Sequence, residues 1–164
     1  MRLSSALVAA AAAMLVAGCG SQKQVIVTKQ GTATVETNRN TGTATITTKQ
    51  GTATYGKNAV DPAKLGLPVY PGASASEGGG LSVQSSQGSQ QMVLLTTGDS
   101  FDKVYGWYKN QMPADSEKMH LSAAGSSMAT FAIGASGDKQ SKSVMITSGK
   151  GKTNIELMAG SKTN

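Results

Sequence analysis

The chain has 164 residues, a formal net charge of +6 and only 15% charged residues, and 20 Gly, 19 Ser and 17 Thr fill the gap. Length predicts one domain, or two if one is small. A single Cys and a single His exclude an intrachain disulfide and a His-based metal cage, the absence of ~20 consecutive apolar residues excludes a polytopic membrane protein, and so much Thr, Ser and Gly argues against a helical bundle.

Arg2 supplies a short positive start, and Ala6 to Ala17 is an unbroken apolar run of twelve residues. That is an h-region, too short to span a bilayer. It ends in Val16-Ala17-Gly18-Cys19. Charge, apolar run, small residues and Cys together resemble the lipobox signal peptide of bacterial lipoproteins, whose Cys thiol receives diacylglycerol and whose chain is cut just before it. The resemblance implies a cleaved signal at 1–18 and lipidation at Cys19. It also implies a mature chain held in the bacterial cell envelope by palmitate-class lipid. Gly20 follows the Cys where an Asp would suggest inner-membrane retention. By the same resemblance the location is the outer membrane of a Gram-negative cell, otherwise the outer face of the cell membrane.

Residues 19–60 form the next segment. Thr28-Lys-Gln-Gly-Thr-Ala-Thr34 recurs as Thr48-Lys-Gln-Gly-Thr-Ala-Thr54, and Thr41-Gly-Thr-Ala-Thr-Ile-Thr47 is a near copy between them. Thr alternates strictly with Ala, Val, Ile or Tyr, which is strand period. The Gly and Asn residues between the runs are turn chemistry. The pattern predicts a small Thr-rich β-meander of three to four strands. One face carries Ala33, Val35, Ala44, Ile46, Ala53 and Tyr55, and the other carries Thr32, Thr34, Thr43, Thr45, Thr52 and Thr54. The thin apolar face makes the meander marginal alone, so it either docks on the second half of the chain or works as a stalk. The Thr field is a candidate partner surface, although β-branched Thr also simply suits an exposed strand face. Lys23, Lys29, Arg39, Lys49 and Lys57 make the segment basic, which suits contact with anionic lipid or envelope polymer.

Asp61-Pro62 reads as a boundary to an α+β domain over 61–164, where six Met and six of the seven aromatic residues lie. Leu67 to Tyr70 reads as a short strand closed by Pro71-Gly72, and Glu77 to Gly80 as a turn. Strands follow at Leu81 to Ser85 and Gln90 to Thr96, then a helix over Asp99 to Met112. Four more strands run at Glu117 to Ser122, Met128 to Gly134, Ser143 to Thr147 and Asn154 to Met158. The helix carries one apolar stripe of Phe101, Val104, Tyr105, Tyr108 and Met112, capped by Asp99 or Ser100 and stopped by Pro113. Trp107 flanks the stripe, and we expect its ring on the sheet rim with the indole N–H near solvent. Its alternative role is an exposed anchor for a partner. The expected fold is an antiparallel sheet covered by one amphipathic helix.

Leu67-Pro68-Val69-Tyr70-Pro71-Gly72-Ala73, with Val104, Trp107 and Tyr108 on the helix and Gly51-Thr-Ala-Thr-Tyr-Gly56 upstream, is similar to a group of bacterial lipoproteins of unknown function. These share a lipobox, a strand-repeat region, an L-P-x-Y-P-G-A element and a V-x-x-[FW]-Y helix. The resemblance covers most of the chain beyond Cys19 and brings a fold with no reaction, ligand or site residues.

Three patterns invite chemistry. Gly98-Asp99-Ser100-Phe101 resembles the first block of GDSL-type esterases, with Ser100 as nucleophile. The only His, His120, lies 20 residues on with Glu117 three before it, not in the Asp-x-x-His those enzymes need. Gly149-Lys-Gly-Lys-Thr153 ends like a phosphate-binding loop but has Ile146 where its first Gly belongs. Met119 and His120, with Met112 and Met128 nearby, suggest a soft copper site, yet neighbours on a strand point to opposite faces. The expectation is a non-catalytic envelope module for binding or scaffolding. The alternatives are a small hydrolase using Ser100 and a weak metal-binding protein. No cofactor and no nucleic-acid partner are expected.

Overall fold

Period-two alternation carries most of the chain into strands. The computed structural model describes residues 20–163 apart from 30, 124, 135–137 and 150, with backbone alone at 77–78. In it ten strands form one antiparallel sheet. They are β1 (Ser21–Thr28), β2 (Gly31–Asn38), β3 (Thr43–Thr48), β4 (Gly51–Gly56), β5 (Ser74–Ser85), β6 (Gly88–Thr97), β7 (Glu117–Ala123), β8 (Ser126–Ile133), β9 (Gln140–Gly149) and β10 (Lys152–Lys162). The spatial order is β1-β2-β3-β4-β5-β6-β10-β9-β8-β7. The last strand therefore inserts between β6 and β9, and β1 and β7 are the two edges.

One turn word builds three of the hairpins. In Thr28–Gly31, Thr48–Gly51 and Ser85–Gly88 the hydroxyl donates to the glycine carbonyl at 3.0, 3.3 and 3.3 Å. Each glycine has a positive φ, 137°, 154° and 144° respectively, a conformation open to Gly and strained for other residues. A Cβ at Gly51 would also strike the Gln84 carbonyl oxygen. The third copy, Ser85-Ser-Gln-Gly88, lies outside the Thr repeat and shows that the word encodes a turn wherever it falls.

The helix α1 (Phe101–Gln111) lies across β9 and β10. Ser100 is its N-cap, accepting from the Lys103 N–H, and Asp102 sits in the first turn where the helix dipole favours an acid. Phe101, Val104, Tyr108 and Met112 are buried, with Tyr105 half-buried beside them. They meet Val93, Leu95, Ala129, Phe131, Val144, Ile146, Ile155 and Leu157, which share one face of β6, β10, β9 and β8 by register. The core begins at Ala59 and Val60, just ahead of the Asp61 position. Before them, among the described residues, only Ala44 is a buried apolar residue. The strands of the 19–60 segment continue the same sheet, with β4 pairing to β5 through Ala53↔Val83 and Tyr55↔Leu81.

Two segments depart from the reading of the sequence. Leu67 to Tyr70 is not a strand. After a 3₁₀ turn at Pro62–Leu65 it runs as a strap beside the helix, burying Leu67 and Tyr70, with the Pro68 carbonyl accepting from Tyr108 OH at 3.1 Å. Pro68 and Pro71 cannot donate to a ladder, so packing replaces pairing there. Glu77 to Gly80 is not a turn but the middle of β5, where the register shifts between Ala75 and Gly80. Glycine permits a close backbone approach: a Cβ at Gly80 would lie 2.7 Å from the Gly56 carbonyl oxygen.

Burial predicts how unevenly the sheet carries its stability. Phe131, 1% exposed and beside the Tyr105 and Tyr108 rings, should cost about 3–5 kcal/mol on truncation to Ala. Ile26→Ala, at 39% exposure on β1, should cost less than about 1 kcal/mol. Urea unfolding of both variants checks the contrast.

Candidate functional site

The residues that invited chemistry gather at the helix N-terminus, and each has a structural task. Asp99 is the hub. Its carboxylate accepts from Tyr70 OH at 2.7 Å and from Lys103 Nζ at 2.9 Å, while its carbonyl accepts from Thr153 Oγ1 at 2.7 Å. These bonds tie the strap, the helix and β10 together. The Tyr70 hydrogen bond, followed by that of Lys103, holds the Asp99 carboxyl below the usual carboxylate range. The same bond to Asp99, with burial, pushes the Tyr70 phenol up. Burial raises Tyr108 strongly.

Ser100 stands beside this hub at the rim of an open recess of about 470 Å³, with Ser126, Ser127, Ser148 and Thr153. Its hydroxyl accepts from the Lys103 N–H at 3.4 Å, the capping bond. The Ser148 hydroxyl accepts from the Ser127 N–H at 2.8 Å. Among the described hydrogen bonds none joins Ser100 to His120. His120 lies on the helix side of β7, its ring stacked 4.1 Å from Tyr105 and 5.9 Å from Phe101. Tyr105 OH donates to Glu117 Oε1 at 2.9 Å, and Lys109 Nζ reaches Tyr105 OH at 3.1 Å. The His ring is thus part of an aromatic stack under a Lys–Tyr–Glu chain.

The four residues that suggested a copper site lie apart. Met119 and Met128 share the sheet face away from the helix by register, Met112 is buried at the helix C-cap, and His120 faces the helix. Among the described residues no group of three His, Cys, Asp or Glu side chains comes together.

Trp107 is half-buried, and its ring meets Tyr70 at 5.3 Å and Tyr108 at 4.8 Å, both edge-on. The expectation placed it on the sheet rim, but the strap takes that position. The L-P-x-Y-P-G-A element and the helix aromatics are therefore one packed unit. The Thr field lies on the same side of the sheet as the helix, but β5 and β6 intervene between β4 and the helix-bearing β10. Thr32 is exposed; Thr34, Thr43, Thr45, Thr52 and Thr54 are half-buried. Thr45 and Thr54 share a hydroxyl–hydroxyl bond of 3.0 Å. Trp107 and the Thr field therefore do not form one site. Cys19 lies outside the described residues.

Reasoning from the sequence missed the Tyr70–Asp99 link, because 29 positions separate the partners and neither residue type implies the other. It also missed how much apolar surface lies on the second face of the sheet. Comparison with protein-family models, with curated proteins and with solved structures finds no match to this chain.

The Asp99 hub makes a signed prediction. A carboxylate with a lowered folded pKa contributes stability that is complete above its unfolded pKa, near ~3.9, and lost as pH falls through the folded value. Asp99→Asn should be less stable than the wild type in urea at pH ~7, and the two should converge as pH drops below about 4. A gap of constant size across that range would contradict the linkage. Trp107, packed between two tyrosines, should emit to the blue of free Trp, and Tyr70→Ala should shift it red while the far-UV spectrum holds.

Proposed function

We propose that the chain is a lipid-anchored, non-catalytic module of the bacterial cell envelope that binds or scaffolds a partner. The observation that carries this reading is Cys19 directly behind Val16-Ala17-Gly18 and a twelve-residue apolar run. Each buried acyl CH₂ contributes about 0.8 kcal/mol, so two or three chains on Cys19 hold the protein where one would not.

The fold is compatible with that use. β1 starts at Ser21, two residues after Cys19, and is the outermost strand of the sheet. An acyl anchor there would seat the β1 edge at the lipid surface. Lys23, Lys29, Arg39, Lys49 and Lys57 are exposed on this end. Lys23, Lys29 and Arg39, on β1 or in the first two turns, would meet anionic lipid or polymer within a Debye length of ~8 Å, and Lys49 and Lys57 stand two to three strand spacings further off. In this reading the Thr-rich strands are a stalk. Six strand spacings separate β1 from β10, so the helix stands roughly 29 Å along the sheet from the anchored edge. A spacer of paired strands holds that distance more firmly than a Gly/Ser linker of equal length, which samples a broad range of spans.

Metabolic labelling with an alkyne fatty acid tests the anchor. The wild type should incorporate label and partition with membranes, and Cys19→Ser should do neither. Equal labelling of both would sink the proposal.

A further inference from the structure

We propose that a second copy of this chain covers the sheet face opposite the helix, giving a two-fold dimer in which two sheets pack face to face. The argument starts in the sequence. Met92-Val-Leu-Leu95 on β6, Val144-Met-Ile146 on β9 and Leu157-Met-Ala159 on β10 are apolar at consecutive positions. A strand with one wet face alternates, whereas one apolar at both parities reads as covered on both sides. In the structure only one parity is covered. Val93, Leu95, Val144, Ile146 and Leu157 are buried under the helix and strap, while Met92, Leu94, Met145 and Met158 on the other parity stay half-exposed.

The register joins these residues into one field. Leu81, Met92 and Met158 are lateral neighbours across β5, β6 and β10, as are Leu94, Glu156 and Met145 across β6, β10 and β9. Toward one edge the field continues through Tyr55, Ala53, Ile46 and Val35, and toward the other through Met128, Met119 and Leu121. Met119 is 44% and Leu121 56% exposed. Ten strands spaced ~4.8 Å, each contributing about six residues at ~3.3 Å, give a face of roughly 900 Å². A stable interface takes about 800 Å² from each partner, so this face alone suffices. The apolar side chains share that face with Gln22, Gln24, Thr37, Gln90, Asn154, Ser143, Thr147 and Thr130, so the contact is a mixed one whose apolar part lies on the central strands.

Charge selects a second copy as the occupant. By strand parity the field carries one acid, Glu156, near its middle, and two lysines, Lys152 and Lys162, at the two ends of the same strand. A lipid surface would have to desolvate Glu156 without a counter-charge. A two-fold contact is self-complementary: residue i meets j and j meets i. An axis crossing β10 at residue 159 sets Glu156 of each copy opposite Lys162 of the other, and Met158 opposite Gly160. Gly160 borders a groove of about 480 Å³ lined by Gln90, Ala132, Ser143, Met158 and Lys162, with Asp138 of the β8–β9 connection as a second acid at its rim, where an unbranched thioether can seat. Sheets packed in this way stand ~10 Å apart, within reach of a Lys–Glu pair.

The methionines supply their own readout. The full chain, purified in a mild detergent, is exposed to hydrogen peroxide at rising protein concentration, and sulfoxides are mapped by mass spectrometry beside a light-scattering mass. Buried Met112 is the protected control. We expect the mass to double by about 100 µM, with Met92, Met145 and Met158 becoming protected over the same range. Glu156→Lys should weaken association about tenfold or more, and adding Lys162→Glu should restore it. A chain that stays monomeric overturns the proposal. So does a dimer whose methionines oxidise regardless of concentration, which would place the contact at the β1 or β7 edge. Protection at every concentration without doubling would mean that detergent or the acyl chains at Cys19 occupy the face, and this too refutes the second copy. Failure of the charge swap to rescue would refute the assigned axis and the pairing that argues for it.

Discussion

One helix of eleven residues must serve a ten-stranded sheet. Such a helix is about 16 Å long and roughly 10 Å across, whereas the sheet is some 43 Å from edge to edge. Cover is therefore the scarce quantity in this fold. The chain places it over β8, β9, β10 and β6, where it sets Phe101, Val104, Tyr108 and Met112 against Phe131, Val144, Ile146, Ile155 and Leu157. The strap over 66–73 widens the covered zone by burying Leu67 and Tyr70 and is pinned through Tyr70 OH to Asp99 and Tyr108 OH to Pro68. Lys142 Nζ closes the strap from β9 with a 3.1 Å bond to the Gly66 carbonyl. The aromatic composition follows from this geometry. With seven aromatic side chains in all, those in the helix and strap must fill the space between one helix and a broad sheet.

The scarcity of cover also explains the strand insertion. β10, the last strand, pairs with β6 and β9 and so completes the ladder directly below the helix. Its Thr153 reaches back to the Asp99 carbonyl at the helix start. The covered core thus closes only when the final strand is in place, and contacts of high sequence separation hold it. The N-terminal strands, by contrast, pair with their immediate neighbours through tight turns. They lengthen the sheet without adding much to the core, as expected of local pairing over small side chains.

Much of this was legible in the sequence because it rests on periodicity. The 3.6-residue stripe of α1 and the short apolar runs of β6 through β10 between Gly/Ser turns fall where the pattern puts them, with ends displaced by a few residues. Two segments misled for physical reasons. Leu67 to Tyr70 is apolar, and apolar runs look like strands. Its prolines remove the donors a strand needs, and its burial comes from the helix. The glycines after Glu77 look like a turn, yet glycine also lets two backbones approach, and here β5 bulges at Gly80 against Gly56. Of the candidate site residues, the sequence could pair Asp99 with Lys103 at helical spacing, since residues four apart are neighbours on a helix. It could not pair Asp99 with Tyr70 or Thr153, because nothing local encodes a contact across the chain. Nor could it show that His120 stacks on Tyr105, because the bulge that sets the pairing of β7, between Glu117 and Met119, has no turn signature.

The two faces of the sheet answer the shortage of cover differently, and the difference is chemical. On the helix side, where the cover stops short, the exposed strands carry Thr32, Thr34, Thr43, Thr45, Thr52 and Thr54. The Thr methyl group packs on its neighbours while the hydroxyl meets water or another Thr, as between Thr45 and Thr54 at 3.0 Å. A β-branched polar residue is a good physical solution for a strand face without a lid. On the opposite face the same strands carry Ala33, Val35, Ala44, Ile46, Ala53 and Tyr55, and the central strands carry Leu and Met. The division is graded rather than complete: Val25 and Val27, paired with Thr34 and Thr32, stand on the helix side at 57% and 69% exposure, while Gln22, Gln24, Thr37 and Thr48 stand on the opposite face. The aliphatic character of that opposite face is strongest on the central strands, where Leu81, Met92, Leu94, Met145 and Met158 are neighbours.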